Sequence, residues 1–474
     1  MLKDCKEIED VKILSKACLP ILIEYIDEIG LNLFNMVNYQ HTDKFKSYSE
    51  LLERIRVFCF NNQHLYLEMR DFESDNFCVQ FYDFTTIYEY FLEFQKNLND
   101  ILNSSPKFRE YIYFKFNLNE NAPNLLVSAT IFKHKEFISD NIDKEQNEHL
   151  YQIASKIEGA WLSFLIKFLY YRGVHYNDII NNEYKKLKNI PVTFERLIIE
   201  DDKKSIYIDQ NIASDYVVGK NKNLNENIKK IKDIGRYRFV FSPYLIEDGI
   251  KMDIIYFNLY IRNVLLLTDG ILMGRIDDEL SFVKENPDLL IDRILKWLPA
   301  TSAAEEYKYI QAKLNEIMYP NFNKQSKLGR KISNDINSVF NDESFMKNTV
   351  LNPEINRTLY DFIEWKIIDL GFGASIDDLI SSRIICDNDS DVINKIEGLC
   401  SLLDVVNYKT ESLKDKSKIK SSYQDIQHLT HAFKCEYLVT NDNNLIMRGR
   451  YIYNVLGLKT KFINGDELHK FIDQ

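Results

Sequence analysis

Cysteine is scarce and scattered in this chain. The seven residues Cys5, Cys18, Cys59, Cys78, Cys386, Cys400 and Cys435 form no CxxC pair and make an odd total. Neither a zinc cluster nor a disulfide framework is therefore signalled, and the thiols are expected in the core. Long apolar runs are missing too. The greasiest stretch, Ile153 to Tyr171, carries Lys156, Glu158 and Lys167, which marks a buried helix rather than a membrane span. The first residues, MLKDCKEIEDVK, lack the apolar core of a secretory signal or transit peptide. A cytoplasmic protein with no membrane partner is expected. Positive charge is in deficit, with 60 Lys and Arg against 71 Asp and Glu and a net charge of -11. That argues against a surface coated for nucleic acid, although a local basic groove can coexist with an acidic whole. With 15 glycines and 9 prolines in 474 residues, the composition is neither fibrous nor low-complexity.

What is present is 45% apolar content, enough for two or three packed domains. Residues 1–200 read as an α+β domain. Helical spacing runs over Val11 to Val37, Thr85 to Leu102 and Glu148 to Tyr171. Two hairpins are expected, His64 to Met69 with Phe77 to Phe81, and Glu110 to Leu118 with Leu125 to His134. Their aromatics could stack on bases, but strands favour aromatics generally, so a packed sheet is the simpler reading. His41, His64, His134, His149 and His175 are scattered over different elements and define no constellation.

After the charged break Glu200 to Lys204 the pattern changes to strand, helix, strand, helix, the alternation of a parallel sheet. Residues 201–250 supply two strands, one ending at Asp209 and one at Phe241, where Ser242-Pro243 opens a helix bearing Glu247. Residues 251–405 read as an almost wholly helical insertion of roughly 150 residues, interrupted at Pro287, Pro299, Pro320 and Pro353. It carries a basic cluster at Lys324, Lys327, Arg330 and Lys331. Residues 406–474 return to the α/β pattern. A second basic run, Lys414, Lys416, Lys418 and Lys420, precedes a helix from near Tyr423 that bears Asp425 and His428. A strand from Glu436 to Thr440 follows, then Asp442, another helix, and a last strand from Lys459 to Ile463.

Asp209, Glu247, Asp425 and Asp442 thus fall at comparable places around strand ends. In a parallel sheet those ends share one edge, where open α/β sheets place their sites. Glu247 is adjoined by Asp248, and Asp209 or Asp442 taken alone would more often be a turn or cap residue. His428 can share a helical face with Asp425, which makes an Asp-His site for a transition metal conceivable.

The segments IYIDQN (from Ile206), FSPYLIE (from Phe241), DIQHLTHAFKCEYLVTND (from Asp425) and the tail YNVLGLKTKFI together resemble the PIN-domain nucleases. The resemblance implies an α/β PIN-like domain, a parallel sheet flanked by helices, split by the insertion. It implies a metal-dependent nuclease acting on RNA in preference to DNA, with Mg²⁺ or Mn²⁺ held by Asp209, Glu247, Asp425 and Asp442. Asn211 and Thr440 are expected as polar supports, His428 as a neighbour, and Lys414, Lys416, Lys418 and Lys420 as contacts to nucleic acid. Independently of the family, four carboxylates in one pocket repel one another, so a cation or a proton must neutralise part of the set. The extra domain and insertion suggest a regulated effector of toxin or antiviral-defence type, with a regulatory protein partner or self-association. The alternative is a PIN-like scaffold that binds RNA or protein without cleaving.

Overall fold

The computed structural model of the chain describes residues 90–116 except 91 and 105, 127, 131, 144–187, 194–197, 202–318 except 251, 277 and 278, 330, 350–352, 357–411 except 376–377 and 380–383, and 416–471. The chain divides into two compact units, Met1–Tyr171 and Arg172–Gln474.

Every described element of the first unit is helical. Residues 92–103 form a helix, as expected, followed by α1 (Pro106–Phe116) and α2 (Lys144–Leu187), whose last sixteen residues belong to the second unit. Residues 110–116 of the expected strand Glu110 to Leu118 are therefore helical, and Val127 and Ile131 of its expected partner are helical too. The reason lies in burial. Phe108 and Ile112, four residues apart, are fully enclosed, while Phe114 points outward at 89% exposure. Aromatic strand propensity is a weak preference that this helical face overrides. Along α2, Ile153, Ile157, Trp161, Phe164 and Phe168 face the core, where Trp161 meets Phe94 edge-on at 4.7 Å. The hairpin expected at 64–81, the helical spacing at 11–37, and His41, His64 and His134 lie outside the described residues.

The second unit holds, in order, β1 (Glu195–Arg196), β2 (Lys204–Ile208), α3 (Gln210–Val218), α4 (Lys222–Ile234), β3 (Tyr237–Val240), α5 (Pro243–Ile250) and α6 (Ile254–Thr268). Next come β4 (Ile271–Ile276), β5 (Glu279–Lys284), α7 (Pro287–Met318), β6 (Val350–Asn352), β7 (Arg357–Thr358), α8 (Leu359–Asp369) and α9 (Asp389–Val405). The chain ends on α10 (Lys416–Ala432), β8 (Tyr437–Val439), α11 (Asn443–Val455), β9 (Lys461–Ile463) and a 3-10 turn, Gly465–Phe471.

The main sheet has the order β3-β2-β8-β9 and is parallel throughout. Both of its faces are covered, as parallel sheets require, which explains why Ile206-Tyr207-Ile208 and Tyr437-Leu438-Val439 read as unbroken apolar runs. Tyr207, Val240 and Leu438 pack with Ile396, Leu403, Leu429, Leu445 and Ile452 from α9, α10 and α11. On the other face Ile206, Ile208, Phe239 and Val439 pack with Ile212, Ile228 and Val264 from α3, α4 and α6. This is an α/β architecture, and its four parallel strands are those expected from the sequence.

The stretch 251–405, expected to be almost wholly helical, contains an antiparallel hairpin, β4 with β5. Asp269 and Gly270, at φ 54° and 71°, end α6 in the left-handed region and turn the chain into it. The hairpin reaches the main sheet through Phe241, whose carbonyl accepts from the Met273 N–H at 2.7 Å. ILMGRI and ELSFVK lack a clean alternation because both faces are partly covered, so they resemble helix in the sequence. Pro299, expected as an interruption, sits inside α7, which continues through it. α9, also expected in the insertion, belongs to the sheet's own core. No described helix is long and apolar enough to cross a membrane.

Candidate functional site

The site is built at the carboxyl ends of β2 and β8, which lie side by side. β2 ends at Ile208, and Asp209 caps α3, accepting from the Gln210 N–H at 2.6 Å through Oδ1. Its Oδ2 accepts from the Thr440 hydroxyl and from Asn211 Nδ2, both at 2.6 Å. Thr440, just past β8, in turn accepts from the Asp442 N–H at 3.0 Å and from Asn211 Nδ2 at 3.0 Å. Asn211 Oδ1 accepts from the Asn441 N–H at 3.0 Å. The two strand ends are thus tied by side chains expected as supports. Asp442 caps α11, its Oδ1 accepting from the Asn444 and Leu445 N–H groups at 2.7 and 3.0 Å. Both acids therefore have the capping role that their residue type favours, in addition to any chemistry.

Asp425 approaches from α10. The helix starts at Lys416, earlier than the expected Tyr423, so Asp425 stands in its third turn rather than near its start. Its half-buried carboxyl lines a cavity of about 70 Å³ and has no hydrogen-bond partner among the described residues. Burial, then the charges of Asp209 and Asp442, push its pKa up to about 8, against weaker opposition from His428 and Arg448. The structure thus places Asp209, Asp425 and Asp442 in one another's field. Glu247 is held differently: it is fully enclosed on α5, and its Oε1 accepts from Gln424 Nε2 at 2.7 Å.

His428, one turn beyond Asp425, is 1% exposed. Its Nδ1 is 2.7 Å from the Tyr207 hydroxyl, which donates to Ser242 Oγ at 2.6 Å. Its Nε2 lies 3.3 Å from Asp209 Oδ1 and 3.9 Å from Asp248 Oδ2. Burial alone would lower the pKa of this imidazole, but Asp209 and Asp248 outweigh it and hold the value above the ordinary one. Tyr207, Ser242 and Asp248 are neighbours of this group that sequence reasoning did not assign to it. The adjacency of Asp248 to Glu247 was the available signal, and only the turn of α5 decides that Glu247 meets Gln424 and Asp248 meets His428, both on α10.

A second charged group closes the far wall of the cavity. Asp404 of α9 is paired with Lys308 of α7 and, at 2.8 Å, with Arg448 of α11, whose other nitrogen donates to the Cys400 carbonyl at 3.0 Å. Burial would raise the Asp404 pKa, but the two cations outweigh it and keep the carboxylate ionised. Of the expected basic run, Lys416, Lys418 and Lys420 fall in the first turns of α10, the helix that carries Asp425, and the Lys418 side chain is exposed. Lys414, Lys324, Lys327 and Lys331 lie outside the described residues, and Arg330 is helical and exposed.

Among the described residues no group of three or more His, Cys, Asp or Glu side chains stands where it could hold a metal ion. Three carboxylates share one field, and the one without a hydrogen bond among the described residues, Asp425, has its pKa raised by the other two.

Fold and site together define an α/β protein with a carboxylate-bearing crevice at the carboxyl edge of a parallel sheet. Compared with known proteins, the chain matches no family model, no curated protein and no solved structure.

Proposed function

We propose that this chain is a metal-dependent, PIN-like endonuclease that hydrolyses phosphodiester bonds, in RNA in preference to DNA, in the cytoplasm. One observation carries the reading: Asp209 and Asp442, which cap helices at neighbouring strand ends, are linked through Thr440, and the Asp425 carboxyl, without a hydrogen bond among the described residues, lies in their field. A scaffold has no use for a carboxylate placed where its charge is unfavourable.

In this reading Asp209, Asp425 and Asp442 would hold Mg²⁺ or Mn²⁺, which would supply an activated water and charge stabilisation for the leaving 3′ oxygen. Thr440 and Asn211 fix the Asp209 carboxylate through Oδ2. The N-terminus of α11 holds Asp442 by two N–H groups and favours its ionised form. Lys416, Lys418 and Lys420 bring positive charge to the same helix as Asp425, where a nucleic-acid backbone would pass. Glu247, the fourth expected acid, braces α5 against α10 through Gln424 and joins the set only if that hydrogen bond is exchanged. The expected products carry a 5′ phosphate and a 3′ hydroxyl. The first unit and the elements between α5 and α10 would recognise the substrate or gate its access, as in a regulated defence effector.

The test is incubation of the full chain with single-stranded RNA and Mn²⁺, with and without EDTA. EDTA-sensitive cleavage that disappears in Asp209→Asn with Asp442→Asn supports the nuclease. Absence of cleavage, or cleavage that survives the double substitution, leaves the non-cleaving scaffold.

A further inference from the structure

Helices of the second unit border a crevice of about 500 Å³ that the carboxylate site does not use. One wall is α10, through Tyr423, Ile426 and Gln427; α7, α8, α9 and the end of α2 supply the others. The volume lies within the roughly 300–1,000 Å³ of small-molecule sites and well above the space of a few trapped waters. Its lining has the composition of such sites, apolar side chains such as Ala304 and Leu402 with a small number of polar groups. It adjoins the smaller cavity of Asp425: Lys308, Ala312, Asn315, Asp404, Val405 and Ile426 line both.

The charges lining the crevice leave one acid over. Lys308 is paired with Asp404, and Lys366 with Asp369 at 3.1 Å. Among the described residues Glu397 of α9 makes a single hydrogen bond, a long one of 3.5 Å from Gln427 Nε2, and Arg275 acts on it through its charge. Burial pushes the Glu397 pKa up against both. A carboxyl so placed gains most from a ligand that offers N–H donors to its two oxygens. Tyr307 and Tyr423 add aromatic surface to the same crevice, which suits a flat ring. The nucleobases differ in what they bring. Guanine alone carries two adjacent N–H donors, N1–H and the 2-amino group, on one edge; adenine and cytosine set their amino group beside an acceptor nitrogen, and uracil sets its N–H between two carbonyls. A carboxylate therefore meets guanine with two bonds and the others with one bond and a repulsion.

We propose that this crevice is a guanine-binding site, in which Glu397 accepts from the N1–H and 2-amino groups of the base and Tyr307 and Tyr423 provide the stacking surface. Its role rests on the nuclease reading: the base belongs to the RNA substrate, and the wall shared by the two cavities sets it next to Asp425, so that cleavage falls beside guanosine. Lys308 and Lys366 keep their acids. The one bond at Glu397 that the base displaces among the described residues is the 3.5 Å contact from Gln427, at the limit of hydrogen bonding.

The probe is guanosine 5′-monophosphate added to the full chain in EDTA and measured by calorimetry beside the inosine and uridine 5′-monophosphates. Inosine lacks only the 2-amino group. The guanosine nucleotide is expected to bind at least about fivefold tighter than either, since a missing donor leaves an acceptor unpaired. Glu397→Gln should bring guanosine and inosine level. Ser401→Trp, which fills the crevice from an exposed position, should abolish binding of all three. Cut sites mapped on an RNA of mixed sequence are expected beside guanosine in the wild type and without that bias in Glu397→Gln. Binding without the preference, a preference that survives both substitutions, or no binding overturns the site, whether or not the chain cleaves RNA. Guanine-selective binding by a chain that cleaves no RNA overturns the nuclease and leaves a site for a free guanine nucleotide. Guanine-selective binding with unbiased cleavage overturns the substrate role. Should Glu397→Gln fail to fold, Ser401→Trp and the wild-type preference decide.

Discussion

A carboxylate that caps a helix can be separated from one that does chemistry, because an amide caps almost as well and cannot hold a cation comparably. Asp442 accepts two N–H groups of α11 through a single oxygen, which asparagine supplies equally. Asp442→Asn is therefore expected to change stability by less than about 0.5 kcal/mol, while Asp442→Ala costs about 1 kcal/mol in urea unfolding. If the nuclease reading holds, both lose cleavage, so activity and stability part company only in the asparagine variant. Asp425 gives a second, pH-resolved expectation. Folded, it keeps its proton to about pH 8; unfolded, it loses it near its ordinary 3.8. Between those values the folded state binds the extra proton, so the Asp425 contribution to stability falls as pH rises from about 4 to about 8. Asp425→Asn removes that dependence. Its advantage over wild type should grow from near zero at pH 4 to about 1–3 kcal/mol above pH 8, allowing for the partial exposure of the group. Melting temperatures across that range check it, and a parallel pH profile for the two proteins would refute it.

Asp404 joins elements far apart in sequence. From α9 it reaches Lys308 on α7 and Arg448 on α11, all three less than a fifth exposed. Truncation would leave two buried cations without their counter-charge. Asp404→Ala is expected to destabilise by about 3–5 kcal/mol in denaturant unfolding, without a change in the metal dependence of whatever protein still folds. At this scale the sequence was readable where periodicity was unambiguous. β2, β3, β8 and β9 are apolar runs bounded by turn residues, and they lie where those runs put them. It misled where context overrode local preference. Glu110–Phe116 is aromatic and β-prone, yet Phe108 and Ile112 need a helical face. ILMGRI and ELSFVK have no alternation to betray them, because the hairpin is covered on both sides. Pro299 stays within α7 because proline's missing N–H is a penalty, of about 3 kcal/mol, that the surrounding packing can outweigh.

For the whole molecule, a ligand that binds only the folded state must stabilise it. Mn²⁺ at about 100 times its dissociation constant is expected to add about 2.7 kcal/mol, visible as a rise in melting temperature that EDTA reverses. An unchanged melting temperature across millimolar Mn²⁺ would remove the support for a site assembled by folding. The same measurement on Asp209→Asn should lose most of the rise, because that carboxylate is one of the proposed ligands.

The sequence by itself determined the local chemistry: four apolar strand cores, acids at their ends, cap residues where helices begin, and too little cysteine or unbroken apolar length for a disulfide scaffold or a membrane span. Those properties are carried by neighbours in the chain, and period and residue type reveal them. Only the tertiary structure decided which acids meet. Asp209 and Asp442 are linked because β2 and β8 are adjacent in the sheet, and Asp425 joins them because α10 packs over that edge. Glu247 turns to Gln424 while Asp248 turns toward His428, a choice made by the rotation of one short helix. A residue's side-chain direction depends on what its element packs against, and that packing is set by contacts from across the chain.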